Sequence, residues 1–453
     1  MVIIRRNKCN FATVIRPNKC RDMKRLIINQ LISWKENSQR KPLILNGARQ
    51  VGKTYILKAF GKLHYRNVAY VNLDSQKELA KVFEQDFNVT RIIRSLSAFL
   101  NIHIEPQHTL IVLDEVQECP AALHALKYFC EDAPEYHVVV AGSLLGISLH
   151  GNSSFPVGKV DMLRMFPLTF EEFLMALGEE QLIKLMKDGE TEVIDTLSGR
   201  FVDCLRQYYY TGGMPAVVKE YITSGNLQSV RQLQKQILFD YRRDFSKHAP
   251  AEQVPRINLV WDSIPAQLAR ENKKFIYGAL KKGGRAKEFE MAIQWLIDAG
   301  LVYRVYRANK PSLPLKFYED LSAFKLFSLD VGLMGAMADS PAEAVLVNNQ
   351  AFVEYKGAMT ELYVLTQLQP TGIPIYYYSS NDSLSEIDFL VQSGARIVPI
   401  EVKAEVNVKS KSLSAFIQKH PDLTGLRLSL LPFQTQDWME NRPLYAPLCW
   451  LKE

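Results

Sequence analysis

The chain contains a complete G-x-x-x-x-G-K-T sequence, Gly47-Ala48-Arg49-Gln50-Val51-Gly52-Lys53-Thr54. It follows the apolar run Leu43-Ile44-Leu45, which predicts a buried strand, and it precedes residues 55–60, which favour a helix. In that setting the glycines let backbone N–H groups point at phosphate oxygens, and the helix N-terminus adds positive potential. The motif therefore predicts an ATP site at residues 47–54, in which Lys53 contacts the β- and γ-phosphates and Thr54 binds Mg²⁺.

Three more apolar runs follow at the spacing of βαβ units, at residues 68–73, 110–113 and 138–141. Helical patterns separate these runs. Such an alternation predicts an α/β fold in which helices cover both faces of a parallel sheet. We assign residues 23–165 to this P-loop core.

The second of these runs ends in two acids, Asp114 and Glu115. Carboxylates at the carboxyl end of a buried strand are costly unless a cation uses them, although such a pair can also cap a helix. Beside a phosphate loop, Asp114 would contact the Mg²⁺ shell and Glu115 would act as general base on the attacking water. The third run ends at Gly142-Ser143, where Ser143 would sense the γ-phosphate or would simply end the strand.

The length of 453 residues exceeds one ordinary core and favours about three domains. With 47% hydrophobic and 23% charged residues the composition is that of a globular protein, and no apolar stretch approaches the ~20 residues of a membrane helix. The six cysteines form no C-x-x-C pair, which argues against zinc or a disulfide framework and favours the cytoplasm. The net charge of +7 permits nucleic-acid binding without requiring it.

The first 21 residues contain six basic side chains and no acid. Their apolar run, Val2-Ile3-Ile4, is far too short for a secretory signal. Residues 1–22 are therefore expected to be a disordered basic extension, with a transit peptide as the alternative.

The middle of the chain divides into two predicted segments. Residues 166–250 have helical patterns, broken most clearly at Gly212-Gly213 and Pro215, and fit a helical lid over the P-loop core. Residues 251–336 predict a winged helix. Its expected elements are helices at about residues 256–271, 275–280 and 286–299, and a strand at residues 301–306.

A basic cluster lies within the predicted winged helix. It comprises Lys273, Lys274, Lys281, Lys282, Arg285 and Lys287. Such a cluster can neutralise nucleic-acid phosphates, but it can also be a solvated charged surface. Glu288 and Glu290 on the third helix would face the same phosphates and weigh against DNA binding.

Two alternating runs on either side of Gly394-Ala395 predict a β-hairpin near the C-terminus. A type II′ turn, which requires Gly at its first position, places Asp388 directly opposite Glu401. Like charges so placed destabilise a sheet, which suggests that the two acids share a cation. Lys403 projects from the same face of the strand as Glu401.

This D…E-x-K pattern resembles the centre of the restriction-endonuclease-like nucleases, and we predict that fold for residues 337–453. The resemblance implies that Asp388 and Glu401 hold Mg²⁺ and that Lys403 stabilises the attacking water. Glu361, on a predicted preceding helix, matches the further acid of that superfamily. A hairpin with an exposed polar face would show the same pattern, and the fold also occurs without cutting activity.

Three segments together resemble one group of prokaryotic AAA+ ATPases that carry a C-terminal domain of unknown function. They are residues 47–54, residues 113–117 (Leu-Asp-Glu-Val-Gln) and residues 166–173 (Phe-Pro-Leu-Thr-Phe-Glu-Glu-Phe). Gly212-Gly213-Met214-Pro215 and residues 327–333 match as well, so the resemblance runs from about Met23 to the C-terminus. It implies an AAA+ core with a helical lid.

The resemblance has one departure, at the residue that would act as an arginine finger. Members usually have Gly-Arg before the Phe-Pro-Leu segment, where this chain has Gly158-Lys159. Lys159 lacks the bidentate fork of an arginine, and Arg164 could take its place. AAA+ proteins often work as rings because neighbours donate this finger, so the resemblance implies a homo-oligomer.

These patterns together predict a cytoplasmic, Mg²⁺-dependent AAA+ ATPase with ATP as ligand, DNA as candidate partner and no membrane association. One alternative is an ATP-gated, metal-dependent DNA nuclease that uses Glu361, Asp388, Glu401 and Lys403. Another is a non-cutting nucleotide switch that binds DNA or protein through the same C-terminal fold.

Overall fold

The computed structural model describes residues 23–142, 155–270, 273–346, 353–380, 386–404, 410–446 and residue 451. The predicted extension at residues 1–22 and the candidate sensor Ser143 lie outside these described residues. Within the described ranges, no helix has the length and apolar character needed to cross a bilayer. The cysteines inside those ranges, Cys119, Cys130 and Cys204, are free thiols.

The N-terminal part of the chain forms a five-stranded parallel sheet with the order β2-β3-β4-β1-β5. The strands are β1 (Leu43–Asn46), β2 (Asn67–Asn72), β3 (Thr109–Asp114), β4 (His137–Gly142) and β5 (Asp161–Arg164). The helices around it are α1 (Ile27–Glu36), α2 (Lys53–His64), α3 (Lys77–Gln85), α4 (Val89–Leu100) and α5 (Pro120–Asp132). The four predicted strands are all present.

Strand β3 shows why the central strands have continuous apolar runs. Leu110 and Val112 face one hydrophobic cluster of the core, and Ile111 and Leu113 face another on the opposite side of the sheet. Both faces are covered by helices, so every position of the strand is buried. Edge strand β5 was not predicted, because its side chains alternate between partly buried and exposed and so form no continuous apolar run. Met162 of this strand is 50% exposed.

Residues 170–248 are helical, in agreement with the predicted helix-rich segment. The helices are α6 (Phe170–Leu177), α7 (Glu180–Asp188), α8 (Thr191–Thr196), α9 (Ser198–Thr211), α10 (Pro215–Ser224) and α11 (Leu227–His248). A capping box explains the start of α6: the Thr169 hydroxyl accepts from the Glu172 amide, and the Glu172 carboxylate accepts from the Thr169 amide.

Two of the three helices and the strand predicted between residues 251 and 336 are present, together with a second strand, whereas the winged helix as a fold stays a prediction. The elements are α12 (Val254–Leu268), a 3₁₀ turn (Tyr277–Ala279), α13 (Ala286–Asp298), β6 (Val302–Ala308) and β7 (Glu319–Ser328). The second helix, predicted at residues 275–280, is wrong: only the 3₁₀ turn forms there. The Phe275 amide donates to the Phe324 carbonyl (2.8 Å) and the two rings stack, which holds the segment extended against β7.

The β6–β7 hairpin joins a second, eight-stranded sheet with the order β12-β13-β11-β10-β9-β8-β6-β7. The other strands are β8 (Ile375–Ser379), β9 (Glu386–Ser393), β10 (Arg396–Val402), β11 (Gly425–Ser429), β12 (Gln434–Gln436) and β13 (Met439–Pro443). The accompanying helices are α14 (Val331–Met337), α15 (Ala342–Leu346), α16 (Val353–Leu368) and α17 (Lys411–Lys419), with 3₁₀ turns at Leu315–Tyr318 and Gln369–Thr371. One sheet therefore crosses the predicted boundary at residues 336 and 337.

The helical segment packs directly on α16 of the C-terminal part. Tyr363 of α16 lies edge-on to Tyr208 of α9 and to Phe170 of α6, with ring centroids 5.8 and 6.2 Å apart. The Phe170 amide donates to Gln367 Oε1 (2.8 Å), which places a polar contact beside the aromatic group. These side chains belong to the same hydrophobic cluster as the strands next to the phosphate loop.

A buried acid connects α9 to α14. Asp330 is 1% exposed and accepts hydrogen bonds from the amides of Gly213 (2.6 Å) and Leu333 (2.9 Å), which caps the start of α14. Gly212 lies beside this carboxylate at φ +74°, and a Cβ on it would come within 2.2 Å of Asp330 Oδ1. The buried carboxylate therefore holds the Gly212–Pro215 segment against residues 327–333, and we call this contact the joint.

Gly212→Ala should destabilise the protein far more than Gly189→Ala. Both glycines have positive φ, at +74° and +71°, but Gly212 has ψ −169°, a region that glycine alone populates, whereas Gly189 lies in the ordinary left-handed region with ψ +26°. A Cβ on Gly189 would also meet no described atom within 4 Å. The backbone penalty is about 1 kcal/mol for Gly189→Ala and is larger for Gly212→Ala. Only Gly212→Ala adds the collision with Asp330, which we expect to cost about 2 kcal/mol more.

Urea unfolding of the two variants, followed by circular dichroism, measures this difference. Equal unfolding midpoints for the two variants would contradict the proposed steric role of Gly212.

Candidate nucleotide site and the C-terminal carboxylate cluster

The phosphate loop lies between β1, which ends at Asn46, and α2, which begins at Lys53. Its backbone is tightly curled: Gly47, Gln50 and Gly52 all have positive φ, at +152°, +65° and +97°. A Cβ on Gly47 would lie 2.4 Å from the Met165 carbonyl oxygen, so the first loop residue must be glycine. The loop thus has the backbone form that a phosphate cradle needs.

Lys53 lies under this loop and is 8% exposed. Its Nζ donates to the carbonyl oxygens of Gly47 and Ala48, at 2.8 Å each. Burial lowers the pKa of Lys53 to about 8, against the nearby charges of Glu115 and Asp114, which act to raise it. Its present partners are neutral carbonyls, so phosphate oxygens would be stronger acceptors for the same ammonium group.

Thr54 and Asp114 meet at the carboxyl edge of the sheet, as predicted for a Mg²⁺ site. The Thr54 hydroxyl donates to Asp114 Oδ2 (2.6 Å), and the Tyr70 hydroxyl donates to the same oxygen (2.8 Å). A hydroxyl and a carboxylate are oxygen ligands of the kind that Mg²⁺ takes beside nucleotide phosphates. The residues present therefore fit this ion.

Glu115 follows Asp114 in the left-handed conformation, with φ +53°. The Gln117 side-chain amide donates to Glu115 Oε2 (2.5 Å) and holds the carboxylate in place. A non-glycine residue in this conformation is uncommon and costs free energy, and such strain is found at functional sites. The geometry is consistent with the predicted role of Glu115 as general base, which stays a prediction.

Helix α11 covers the loop with three side chains that the sequence analysis did not identify. Asp244 forms an ion pair with Arg49, Asp240 accepts from the Gln50 side chain (3.2 Å), and the Tyr241 hydroxyl donates to the Arg49 carbonyl (2.9 Å). The two acids lie four residues apart, on one face of the helix. That spacing was visible in the sequence, but nothing in it indicated the phosphate loop as the partner.

Arg25, also absent from the sequence predictions, fixes the loop from the other side. The side chain is 5% exposed and donates to the Val51 carbonyl (2.9 Å) and to the Phe166 carbonyl (2.7 Å). It also pairs with Glu172 (3.1 Å), so its buried charge is compensated. The phosphate loop is thus tied to α6 as well as to α11.

Both candidates for a trans-acting finger contact groups of their own chain. Lys159 pairs with Glu131 (2.9 Å). The Arg164 guanidinium lies over the rings of Phe166 and Tyr303, at 5.3 and 5.9 Å from their centroids. The identity of a finger stays a prediction.

The β9–β10 hairpin has the predicted register, with paired residues running from Ser393 and Arg396 to Phe389 and Ile400. Asp388 and Glu401 follow directly, and Asp388 Oδ2 accepts from the Val402 amide (2.8 Å). Lys403 Nζ pairs with Glu401 Oε1 (2.9 Å).

Glu361 of α16 lies beside Asp388, so the structure brings the four predicted residues into one carboxylate cluster. Burial raises the pKa of Asp388, and the negative charge of Glu361 adds to that effect. The nuclease roles of these residues stay predictions.

Two lysines that the sequence analysis did not place here complete the cluster. Lys273 forms an ion pair with Glu361, and Lys325, which is 0% exposed, forms one with Glu386 and lies 3.8 Å from Glu361 Oε2. Although burial acts to raise it, the charges of Lys273 and Lys325 hold the pKa of Glu361 below its ordinary value. Across the part of the chain that the structure describes, no three His, Cys, Asp or Glu side chains are placed to hold a metal ion.

The predicted basic cluster is accordingly divided. Lys273 points inward to Glu361, whereas Lys281, Lys282, Arg285 and Lys287 are exposed around the turn before α13. Glu290 is directed away from this group, to Tyr277 and Arg304. Glu288 stays beside it, 3.9 Å from Lys281. We call the four exposed residues the basic turn.

Comparison with protein families finds three matches along the chain. Residues 39–174 match the family model of an AAA domain. Residues 202–344 and 356–442 match two domains of unknown function, DUF8612 and DUF4143. The first match confirms the predicted AAA-type P-loop core. The winged helix, the nuclease-like fold and the predicted domain boundaries stay predictions.

No curated protein matches the chain. Solved structures match it at low similarity only. The Walker-type ATPase paby2304 of Pyrococcus abyssi has 14% identity and a TM-score of 0.43, with 69% of this chain and 94% of that chain covered. The Aeropyrum pernix ORC1 protein in complex with DNA has 15% identity and a TM-score of 0.29, with 74% and 97% covered. Pyrobaculum aerophilum Cdc6p has 14% identity and a TM-score of 0.28, with 73% and 98% covered. At these TM-scores the likenesses add nothing to the assignment of function.

Asp244→Asn should raise the affinity for ATP by about fivefold. This factor corresponds to the ~1 kcal/mol that a partly exposed ion pair contributes. The change releases Arg49 from its carboxylate partner, so the guanidinium can turn to the nucleotide phosphates. Titration with a fluorescent ATP analogue measures the effect.

Asp240→Asn is the matched control, because it removes the same charge one turn away and leaves the pair of Arg49 with Asp244 intact. Equal affinities of the two variants would show that Arg49 is not restrained by Asp244.

Proposed function

We propose, from the AAA domain that residues 39–174 form, that this protein binds Mg²⁺–ATP and hydrolyses it. The observation that carries the proposal is the 2.6 Å hydrogen bond from Thr54 to Asp114, directly beside Lys53 under the phosphate loop. It brings the expected hydroxyl and carboxylate ligands of Mg²⁺ together on two neighbouring elements. Glu115 lies next along the chain, where a general base is needed.

In this reaction a water oxygen attacks the γ-phosphorus, and the bond from that phosphorus to the β,γ-bridging oxygen breaks. Glu115 accepts the proton of the attacking water, and Gln117 keeps its carboxylate oriented for this transfer. Lys53 exchanges its carbonyl partners for phosphate oxygens and balances their charge. When bound, Mg²⁺ supplies Lewis-acid neutralisation of the phosphates.

Glu115→Gln should retain ATP binding and lose hydrolysis by about 100-fold or more, because glutamine cannot accept the proton. Steady-state phosphate release and equilibrium ATP binding are the two measurements. Glu118→Gln serves as control, since Glu118 is exposed and three residues away. Normal turnover by Glu115→Gln would remove Glu115 from its assigned role.

We further propose that the protein binds nucleic acid through the basic turn. Four cationic side chains are exposed there. Of the two acids that weigh against phosphate binding, Glu290 is engaged with Tyr277 and Arg304. Glu288 remains 3.9 Å from Lys281, so the positive charges still outnumber the negative one. Lysine and arginine groups of this kind bind phosphates without reading base sequence. The protein would then hydrolyse ATP while it is bound to nucleic acid.

Replacing Lys282 and Lys287 by alanine should weaken binding to duplex DNA and reduce the salt dependence of the association constant by about two counterions. Fluorescence anisotropy over a range of salt concentrations gives both quantities. The paired change of Lys62 and Lys77, two exposed lysines of the AAA domain, alters net charge equally and should have no such effect. Identical salt slopes for the two double variants would exclude the basic turn as the contact.

The ion pairs of Glu361 favour the non-cutting switch over the ATP-gated nuclease. Glu361 Oε1 is engaged by Lys273, and Oε2, which has no hydrogen-bond partner among the described residues, lies 3.8 Å from the Lys325 ammonium group. These two positive charges oppose the binding of Mg²⁺ at this carboxylate. Assembly into a homo-oligomer stays part of the proposal.

A further inference from the structure

The carboxylate cluster of the C-terminal part is interleaved with lysine ammonium groups. Four carboxylates meet there, and three ammonium groups accompany them. The acids are Glu361, Glu386, Asp388 and Glu401, and the lysines are Lys273, Lys325 and Lys403. Each of the three ammonium groups forms an ion pair with one of these carboxylates.

The lysines and the acids come from different parts of the chain. Lys273 follows α12 and Lys325 lies on β7, within the residues that match one family model. Glu361 lies on α16, while Asp388 and Glu401 lie on β9 and β10, all within residues that match another. The ion pairs therefore cross between two separately recognised segments.

The acids are held by these lysines in a way that leaves little room for a divalent cation. Glu361 is 4% exposed and is paired through Oε1 to Lys273, with Lys325 3.8 Å from Oε2. A divalent ion beside Glu361 would lie within a few ångströms of two ammonium groups in a dry environment, where like charges repel strongly.

Removal of one lysine would change this balance. Lys273 is the more accessible of the two, with a side chain 16% exposed, whereas Lys325 is fully enclosed. Glu401 Oε2 is buried and has no hydrogen-bond partner among the described residues. Glu361 Oε2 likewise has no hydrogen-bond partner among the described residues, and without Lys273 the Oε1 atom would lose its ammonium partner.

We propose that Lys273 and Lys325 are the built-in counter-ions of the carboxylate cluster, and that they exclude a divalent cation from it while Lys273 pairs with Glu361. The cluster then acts as an ionic lock between the part of the chain that carries the basic turn and the C-terminal part. Its metal-binding capacity appears only when the pair of Lys273 with Glu361 is broken.

Titration of the full-length protein with Mn²⁺ alone, by calorimetry and by the spin resonance of free Mn²⁺, tests the lock without nucleotide. The result is therefore independent of ATP hydrolysis. Lys273→Met should gain one Mn²⁺ site that binds about tenfold more tightly than any site of the wild-type protein. Groups next to a metal site typically change its affinity by about this factor. Lys273→Met combined with Glu361→Gln should lose that gain.

Lys219→Met is the matched control, because it removes an exposed lysine of the same segment and should leave Mn²⁺ binding as in the wild type. Circular dichroism verifies that each variant is folded. A folded Lys273→Met that gains no Mn²⁺ site would overturn the proposal.

The wild-type protein provides a test that does not depend on a folded lysine variant. If wild type binds Mn²⁺ at a site that Asp388→Asn removes, the cluster already accepts the cation and the lock does not exist. If Asp388→Asn leaves the Mn²⁺ titration of the wild type unchanged, the cluster is closed as proposed.

Discussion

The burial of one carboxylate, that of Asp330, constrains the centre of this molecule. Burial raises the pKa of Asp330 to about 6, against three backbone hydrogen bonds, from Gly213, Leu333 and Gly332, that act to lower it. A buried acid is tolerated only where such donors surround it. The end of α9 and the start of α14 therefore stay together, since separating them would leave the acid or the amides unpaired. Gly212 carries no side chain because this carboxylate occupies the space.

Contacts lead from this joint to both chemical sites. Towards the nucleotide site, Gly213 accepts from the Leu168 amide (2.6 Å), and Pro215 begins the helix that lies against the phosphate loop at Gly52. Towards the C-terminal part, the chain before Asp330 is β7, which carries Lys325 into the carboxylate cluster. Packed, hydrogen-bonded elements thus connect the phosphate loop to the carboxylate cluster. A displacement of either site would have to move the buried Asp330 or its hydrogen-bonded backbone partners.

The two sites use buried lysines in opposite ways, and the difference is electrostatic. Lys53 is bonded to neutral carbonyls, and its burial lowers its pKa to about 8, so an arriving phosphate is a better partner than any it has. Despite its burial, the charges of Glu386, Glu361 and Asp388 raise the pKa of Lys325. Its charge is already matched within the protein. Lys53 can therefore exchange its carbonyl partners for the phosphates of a ligand. The ammonium group of Lys325 instead provides the positive charge that a bound cation would provide.

The sequence by itself determined the features that depend on neighbours along the chain. Local pattern and turn chemistry predict the phosphate loop, the four central strands of the first sheet, Asp114 and Glu115 at a strand end, and the register of the β9–β10 hairpin. Only the tertiary structure decided the partners. Asp244 meets Arg49 across 195 positions and Lys273 meets Glu361 across 88, and no local pattern encodes such contacts. Tertiary packing also kept residues 275–280 from forming a helix, because Phe275 bonds to β7 instead. Charge pairing over long sequence separations depends on how the elements pack, and it decides here which acids are free to bind a ligand.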